Sequence, residues 1–406
     1  MTPMANNLLS EKELENYAKI LVWGLSKARK KPIEKNSFIE IKYSHEAEPL
    51  AEKLYSYLLE MNINPLPKQL KGPAMEKIFY SRSNDEQLMA IQPGLNEYFS
   101  NIAGSITLIA PSSLTHLLDV KSENINKYLK SRSEIKNILS AREEQGDYSW
   151  TLCIYPTKAL ADAAGMTIEN YADKISEACF LKEKNPVELW EKLSKKSSIL
   201  KSRLMALEID SFHIESENTD LIIKNGKKRK WLGISGRNIP SFEIFISPDY
   251  RETSGIYYAD QPSYRNGNIV ESVKLEFKKG EVISASAMKG ENYLKKTISV
   301  DKGASRIGEF SMTDKNFSKI NSFMANTLYD ENYGGQWGNI HIALGSSYSN
   351  SYSGDAKDLN NLEKKNLGFN TSAIHWDLVN TEKKIVTATL KNGRKQIIYK
   401  NGEFIL

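Results

Sequence analysis

The sequence predicts two domains of different architecture. Residues 1–207 read as an α/β domain with a mostly parallel sheet, and residues 208–406 as a mainly antiparallel β (α+β) domain. Three observations carry this division. A chain of 406 residues exceeds the roughly 250 to 300 at which a single core stops growing. Before residue 208, apolar strands alternate with amphipathic helices in a β-α-β rhythm. Beyond it, short alternating runs are broken by Asn-Gly or Lys-Gly pairs, which tolerate the positive φ of hairpin turns.

The elements follow in order. Leu14, Tyr17, Ile20, Leu21, Trp23 and Leu25 mark one face of a helix over Glu11 to Lys30, opened by the cap-like Ser10. Phe38 to Tyr43 alternates as a strand, Glu46 to Leu59 reads as a helix, and Ile63 to Pro67 begins a second extended piece. Strands at Ile106 to Ala110 and Ser149 to Tyr155 each stop at a proline, and a helix across Ser133 to Arg142 separates them. Helices over Thr167 to Leu181 and Pro186 to Leu207 complete the first half, with Pro186 suited to a first helical turn. In the second half, Asn225-Gly226, Lys279-Gly280 and Asn392-Gly393 each follow a short strand and read as hairpin turns. One helix is expected at Phe317 to Leu328, and Phe404 to Leu406 is expected to end the chain in a sheet strand.

Composition narrows the function. With 40% hydrophobic and 26% charged residues the chain is a folded protein rather than a disordered one. No window approaches the roughly 20 apolar residues of a membrane helix, and MTPMANNLLSEKE carries no secretory pattern, so the cytoplasm is the expected compartment and no membrane partner is expected. The 55 basic residues barely exceed the 50 acidic ones, which gives no reason to expect a nucleic-acid partner. The basic cluster Lys224 to Lys230 flanks a predicted hairpin turn and reads as a solvated turn. Cys153 and Cys179 lie in apolar segments and read as core residues.

Chemistry concentrates around two histidines. In His375-Trp376-Asp377 the two-residue period of a strand puts the imidazole and the carboxylate on one face and the indole on the other. Such a pair makes a half-shell for a divalent metal, and a purely structural His–Asp hydrogen bond would give the same pattern. His341 stands in a second apolar run, and a buried imidazole needs partners. Glu243 and Glu309, each an acid between apolar neighbours, are candidates to complete a shared centre, although for each taken alone a solvated glutamate at a strand edge is the favoured reading. Five N and O ligands without cysteine suit zinc, manganese or cobalt, and suffice for two ions if one carboxylate bridges. No HExxH, GxSxG, GxxxxGK or GxGxxG motif is present.

Several ordered motifs resemble those of the metallopeptidase M29 family, the thermophilic-type aminopeptidases. They are Asn238-Ile239-Pro240 leading to Glu243-Ile244-Phe245, Lys289-Gly290-Glu291, Asp301-Lys302-Gly303-Ala304, Ile307-Gly308-Glu309, Asp330-Glu331-Asn332, His341-Ile342-Ala343-Leu344-Gly345 and His375-Trp376-Asp377. Weaker likenesses in the first half, at Tyr155-Pro156-Thr157 and Asn185-Pro186-Val187, extend it over most of the chain. The resemblance implies a metalloaminopeptidase that acts on peptides with a free N-terminus through two divalent ions (zinc, cobalt, manganese or magnesium), and that forms a homodimer. It implies Glu243, Glu309, His341, His375 and Asp377 as metal ligands, with Glu309 bridging, and Glu331 and Tyr348 as catalytic residues; Tyr352 competes with Tyr348 for its role. Residues 208–406 would then be the metal-binding catalytic domain. One departure stands out: Tyr333 to Asn339, with three glycines and Trp337, intervenes between Asn332 and the histidine strand. This insert could displace Glu331 or narrow the cleft, and it keeps open an alternative in which the chain is a catalytically inactive binding or interaction protein. Asp301 and Glu291 are expected to hold loops together.

Overall fold

A computed structural model describes residues 8–265, 268–355 and 358–406. The chain forms two compact units, one running to Trp190 with the addition of Ser235–Pro240, the other comprising Glu191–Ile234 and Ser241–Leu406.

The first unit is built on a five-stranded sheet in the order Asn64–Gln69, Phe38–Tyr43, Gly104–Ile109, Ser149–Ile154, Asn238–Ile239, with every pair parallel. Parallel neighbours need crossover connections, and the helices Glu48–Glu60 and Ser133–Gln145 lie in two of them. Helix Glu11–Lys27 starts at a capping box, in which Ser10 and Glu13 satisfy each other's backbone donors. Its predicted face is buried at Leu14, Tyr17, Ile20, Leu21 and Leu25, and the Tyr17 hydroxyl donates to the Ile154 carbonyl at 2.9 Å. Cys153 and Cys179 are buried free thiols, and burial pushes the Cys153 thiol well up, which suits a core role.

The second unit is an antiparallel sandwich. Its larger sheet has eight strands in the order Glu281–Ser286, Val273–Lys278, Asp249–Ala259, Asp220–Lys224, Ile209–Glu215, Ile385–Leu390, Lys395–Lys400, Glu403–Phe404. Its smaller sheet has four: His375–Asn380, Asn339–Gly345, Ile307–Thr313 and Glu243–Ile246. The two sheets share one core. Phe212, Ile214, Leu221, Ile223 and Tyr257 of the larger meet Ile244, Phe310, Met312, Ile340, Ile342, Leu344, Trp376 and Leu378 of the smaller. The opposite face of the smaller sheet is left for polar side chains.

Two of the turn signals behave as predicted. Lys279 and Gly280 take φ of 51° and 83° between paired strands, and Gly393 takes 83° between Ile385–Leu390 and Lys395–Lys400. The signal at Asn225-Gly226 does not mark a hairpin. Strand Asp220–Lys224 pairs with Ile209–Glu215 and Asp249–Ala259, so the chain leaves the sheet after Gly226. The neighbouring basic cluster is not all solvated either: Arg229 is buried and donates to the carbonyls of Ser247, Lys227 and Leu367. The helix expected over Phe317 to Leu328 is confined to Thr327–Asp330. Side chains capture the backbone there instead, since the Asp330 carboxylate accepts from the Met324 and Asn326 amides, and Ala325 takes φ 51°. Among the described residues no helix is long and apolar enough to cross a membrane.

Candidate metal centre

The polar face of the four-stranded sheet gathers every histidine and carboxylate singled out for ligation. Residues directly opposite on antiparallel strands share a face. Thr313 lies opposite Glu243, Ser311 opposite both Phe245 and His341, Glu309 opposite Ala343, Ala343 opposite Asp377, and Gly345 opposite His375. Glu243, Glu309, His341, His375 and Asp377 therefore project to one side, and the apolar residues between them fill the core. Glu309 lies in step with Ser311 and Thr313 on this side, and a register shift between Ile307 and Glu309 turns Ile307 into the core opposite Leu344. Gly308 makes the shift possible, because a Cβ there would stand 2.3 Å from the Gly345 carbonyl oxygen.

The side chains fall into two overlapping triads, Glu243–Glu309–His341 and Glu309–His375–Asp377, each with its ligand atoms within 4.8 Å of one another. Nε2 of His341 is 3.1 Å from Oε1 of Glu309 and 3.3 Å from Oε2 of Glu243. Nε2 of His375 is 3.3 Å from Oδ1 of Asp377 and 3.7 Å from Oε2 of Glu309. Glu309 belongs to both groups and gives one oxygen to each.

The charges are balanced closely. Burial works against the charged form of His375, but Asp377 and Glu309 outweigh it and hold the imidazole up at about 9. Asp377 is driven the other way, to about 2, because His375 overcomes the cost of burial. Glu309 is raised to about 7 by burial and by the nearby Glu243. Glu331 is raised well above the usual carboxylate range by burial, then by Glu243 and Asp377.

A divalent cation fits this donor set. One Nε2 hydrogen of His341 is left to be divided between two carboxylates, and Oε2 of Glu309 is buried without a hydrogen-bond partner. Nδ1 of His375 bonds the Ser346 carbonyl at 2.8 Å, which fixes a hydrogen on Nδ1, so Nε2 is the nitrogen that would give up its proton and offer a lone pair to a metal. Nitrogen and carboxylate oxygen without thiolate suit zinc, manganese or cobalt.

The remaining candidates lie around these triads. Glu331 is buried, and its charge interacts with Glu243, Asp377, His341 and Glu309. Its backbone carbonyl accepts from Asn339 Nδ2 at 3.2 Å, so the Tyr333–Asn339 insert closes back onto Glu331. The insert packs against Tyr399, Gly402 and the buried Lys384, whose amine donates to the Trp337 and Gly338 carbonyls. The Tyr348 ring lies 4.7 Å from the His375 ring and 5.7 Å from Phe245 while the side chain stays partly exposed, and desolvation together with the site carboxylates keeps the phenol protonated. Tyr352 packs with Leu359, Leu367 and Phe369 instead. Asp301 accepts from the Gly303, Ala304 and Ala373 amides, tying its loop to the segment that leads into His375. Glu291 accepts from the Ala287 amide and from Lys295 within its own short segment.

Three contributors escaped sequence reasoning. Ser311 donates to Oε2 of Glu243 at 3.0 Å, and its place two residues after Glu309 was a usable signal. Arg265 donates to the His375 carbonyl at 2.8 Å from a separate hairpin, with no signal in the sequence. Asn332 lies in the Asp330-Glu331-Asn332 motif, and its part shows only in its bonds to the distant Phe242 and Glu243 amides.

The family model described as thermophilic metalloprotease (M29) matches residues 10–404. The chain belongs to the M29 family. Among curated M29 relatives, aminopeptidase PepS of Streptococcus thermophilus is 23% identical over 98% of both chains, and aminopeptidase AmpS of Bacillus subtilis is 27% identical over 77% of this chain and 78% of its own. The solved structure of wild-type AmpT from Thermus thermophilus has the same fold, with a TM-score of 0.78 at 20% identity, covering 98% of this chain and all of that one. The ordered M29 motifs of the sequence thus sit on a fold of the same kind.

Proposed function

We propose that the chain is a metal-dependent aminopeptidase that removes N-terminal residues from peptides, with the second unit as its catalytic domain. The observation that carries this reading is the shared Glu309, which gives one oxygen to each of two overlapping ligand triads. Glu243, Glu309, His341, His375 and Asp377 would hold two divalent ions, which supply charge to polarise a peptide carbonyl and to acidify a water.

The chain's own groups do the rest. Glu331, with its raised proton affinity, takes the proton of the attacking water and hands it to the departing amine. The phenol of Tyr348, kept neutral, donates a hydrogen bond to the oxygen that becomes negative as the carbonyl carbon turns tetrahedral. Glu331 is held in place by its burial at the end of helix Thr327–Asp330, whereas Tyr348, on the loop after Asn339–Gly345, rests against the His375 ring with one side open to solvent. Cytoplasmic location and homodimeric assembly belong to the same reading.

Activity on aminoacyl amides and short peptides should vanish with a chelator, return with zinc, manganese or cobalt, and fail on N-acetylated peptides. Metal-loaded protein that cleaves none of the panel would overturn the proposal in favour of a binding role.

A further inference from the structure

The geometry points to Asn332 as a positioning residue that sets the metal-ligand Glu243 and the proton-carrying Glu331 with one side chain. This rests on the roles proposed above for those two glutamates.

Asn332 is fully buried. Its Oδ1 accepts from the amides of Phe242 at 2.5 Å and Glu243 at 3.0 Å. Its Nδ2 donates to the Leu328 carbonyl at 3.0 Å and to Oε1 of Glu331 at 3.4 Å. Both lone pairs and both hydrogens are thereby used, which is the full capacity of a carboxamide. The assignment of oxygen and nitrogen is settled by the partners, since a flipped amide would aim its hydrogens at two backbone N–H groups. The residue itself is pinned: its amide donates to Tyr329 O and its carbonyl accepts from Ser318 Oγ.

Each half of the side chain has a distinct task. The oxygen fixes the backbone at the start of the Glu243 strand, and so fixes where that carboxylate emerges toward His341. The nitrogen, by donating to Oε1, occupies a lone pair of Glu331, so that a proton carried by this carboxyl sits on Oε2. The 3.4 Å contact lies at the long end of the hydrogen-bond range, so it orients Glu331 without locking it. Aspartate at this position would keep the accepting half and lose the donating half; leucine would lose both.

The test compares wild type, Asn332→Asp and Asn332→Leu by zinc affinity, measured in competition with a chromophoric chelator, and by kcat and KM on an unblocked aminoacyl p-nitroanilide. Supporting groups around metal ligands are worth roughly 10- to 100-fold in affinity or activity. Asn332→Asp should keep zinc affinity within about 3-fold while kcat falls about 10-fold or more at unchanged KM; Asn332→Leu should lose about 10-fold or more in both affinity and kcat. Parallel losses in the two variants, or a leucine variant with wild-type affinity, would overturn the assignment. Hydrogen exchange on the wild-type protein needs no variant to fold. Added zinc should protect the peptide containing the Phe242 and Glu243 amides together with that spanning 327–333, and protection of one alone would count against the link. If wild type cleaves nothing, the proposed activity falls, while zinc affinity and exchange still decide whether Asn332 holds Glu243.

Discussion

Replacing Glu309 by glutamine should stabilise the metal-stripped protein and weaken the metal-loaded one. The unfolded chain gives up this proton near 4.5 and the folded chain near 7, so stability falls as pH rises from about 4.5 to 7, and the penalty is fully present above 7. A displacement of this size corresponds to on the order of 3 kcal/mol. Glutamine has no such penalty and retains an oxygen for His341, so chelator-treated Glu309→Gln should exceed wild type by on the order of 2 kcal/mol at pH 8 and lose that advantage at pH 4. Metal reverses the order. At about 100 times its dissociation constant an ion adds roughly 2.7 kcal/mol to wild type, whereas a variant bound about 100-fold more weakly gains roughly 0.4 kcal/mol at the same concentration. Urea denaturation at pH 8, with chelator and then with zinc, should show the two curves exchange places. Equal zinc-induced shifts in both proteins would refute the assignment of Glu309 to the shared position.

Three further outcomes are expected. Tyr348→Phe keeps the ring contacts with His375 and Phe245 and loses the hydroxyl, so kcat should fall roughly 10²- to 10³-fold with KM little changed; an unchanged kcat excludes the phenol from the reaction. Lys384 is buried, with its amine lowered from 10.5 to about 7 by burial despite Asp260 and Glu382, so stability should rise with pH between 7 and 10.5. Lys384→Met should be roughly 3 kcal/mol more stable at pH 7, after allowing for the lost bonds to Trp337 and Gly338, and should flatten that slope in thermal melts. Gly308→Ala must move the Gly345 carbonyl or the Glu309 backbone, costing roughly 1 to 3 kcal/mol and most of the zinc affinity; a variant with wild-type zinc binding would show that the bulge is dispensable.

Much of this centre was legible because a strand has period two. His375 and Asp377, or Ile340, Ile342 and Leu344 around His341, declare their faces without any tertiary knowledge, and the two architectures followed from the change in rhythm near residue 208. Segments whose conformation depends on distant partners were opaque. Residues 317–326 have helical spacing, yet Asp330 and Ser318 bond the backbone into turns. Asn225-Gly226 has hairpin chemistry, yet the partner strand comes from Asp249–Ala259. Arg229 belongs to a basic run, yet carbonyls from three separate places surround it. Arg265 reaches His375 from a hairpin 110 residues away, a distance no local pattern can encode.

The alternation of the four-stranded sheet assigns the shared core and the ligand face to alternate positions. Substitutions at Ile340, Ile342 or Leu378 would deplete the cellular level of the protein, while those at the adjoining His341 or Asp377 would strike the ligand face first. A lineage on this scaffold can therefore abandon proteolysis by a single codon change and keep the body intact for another use.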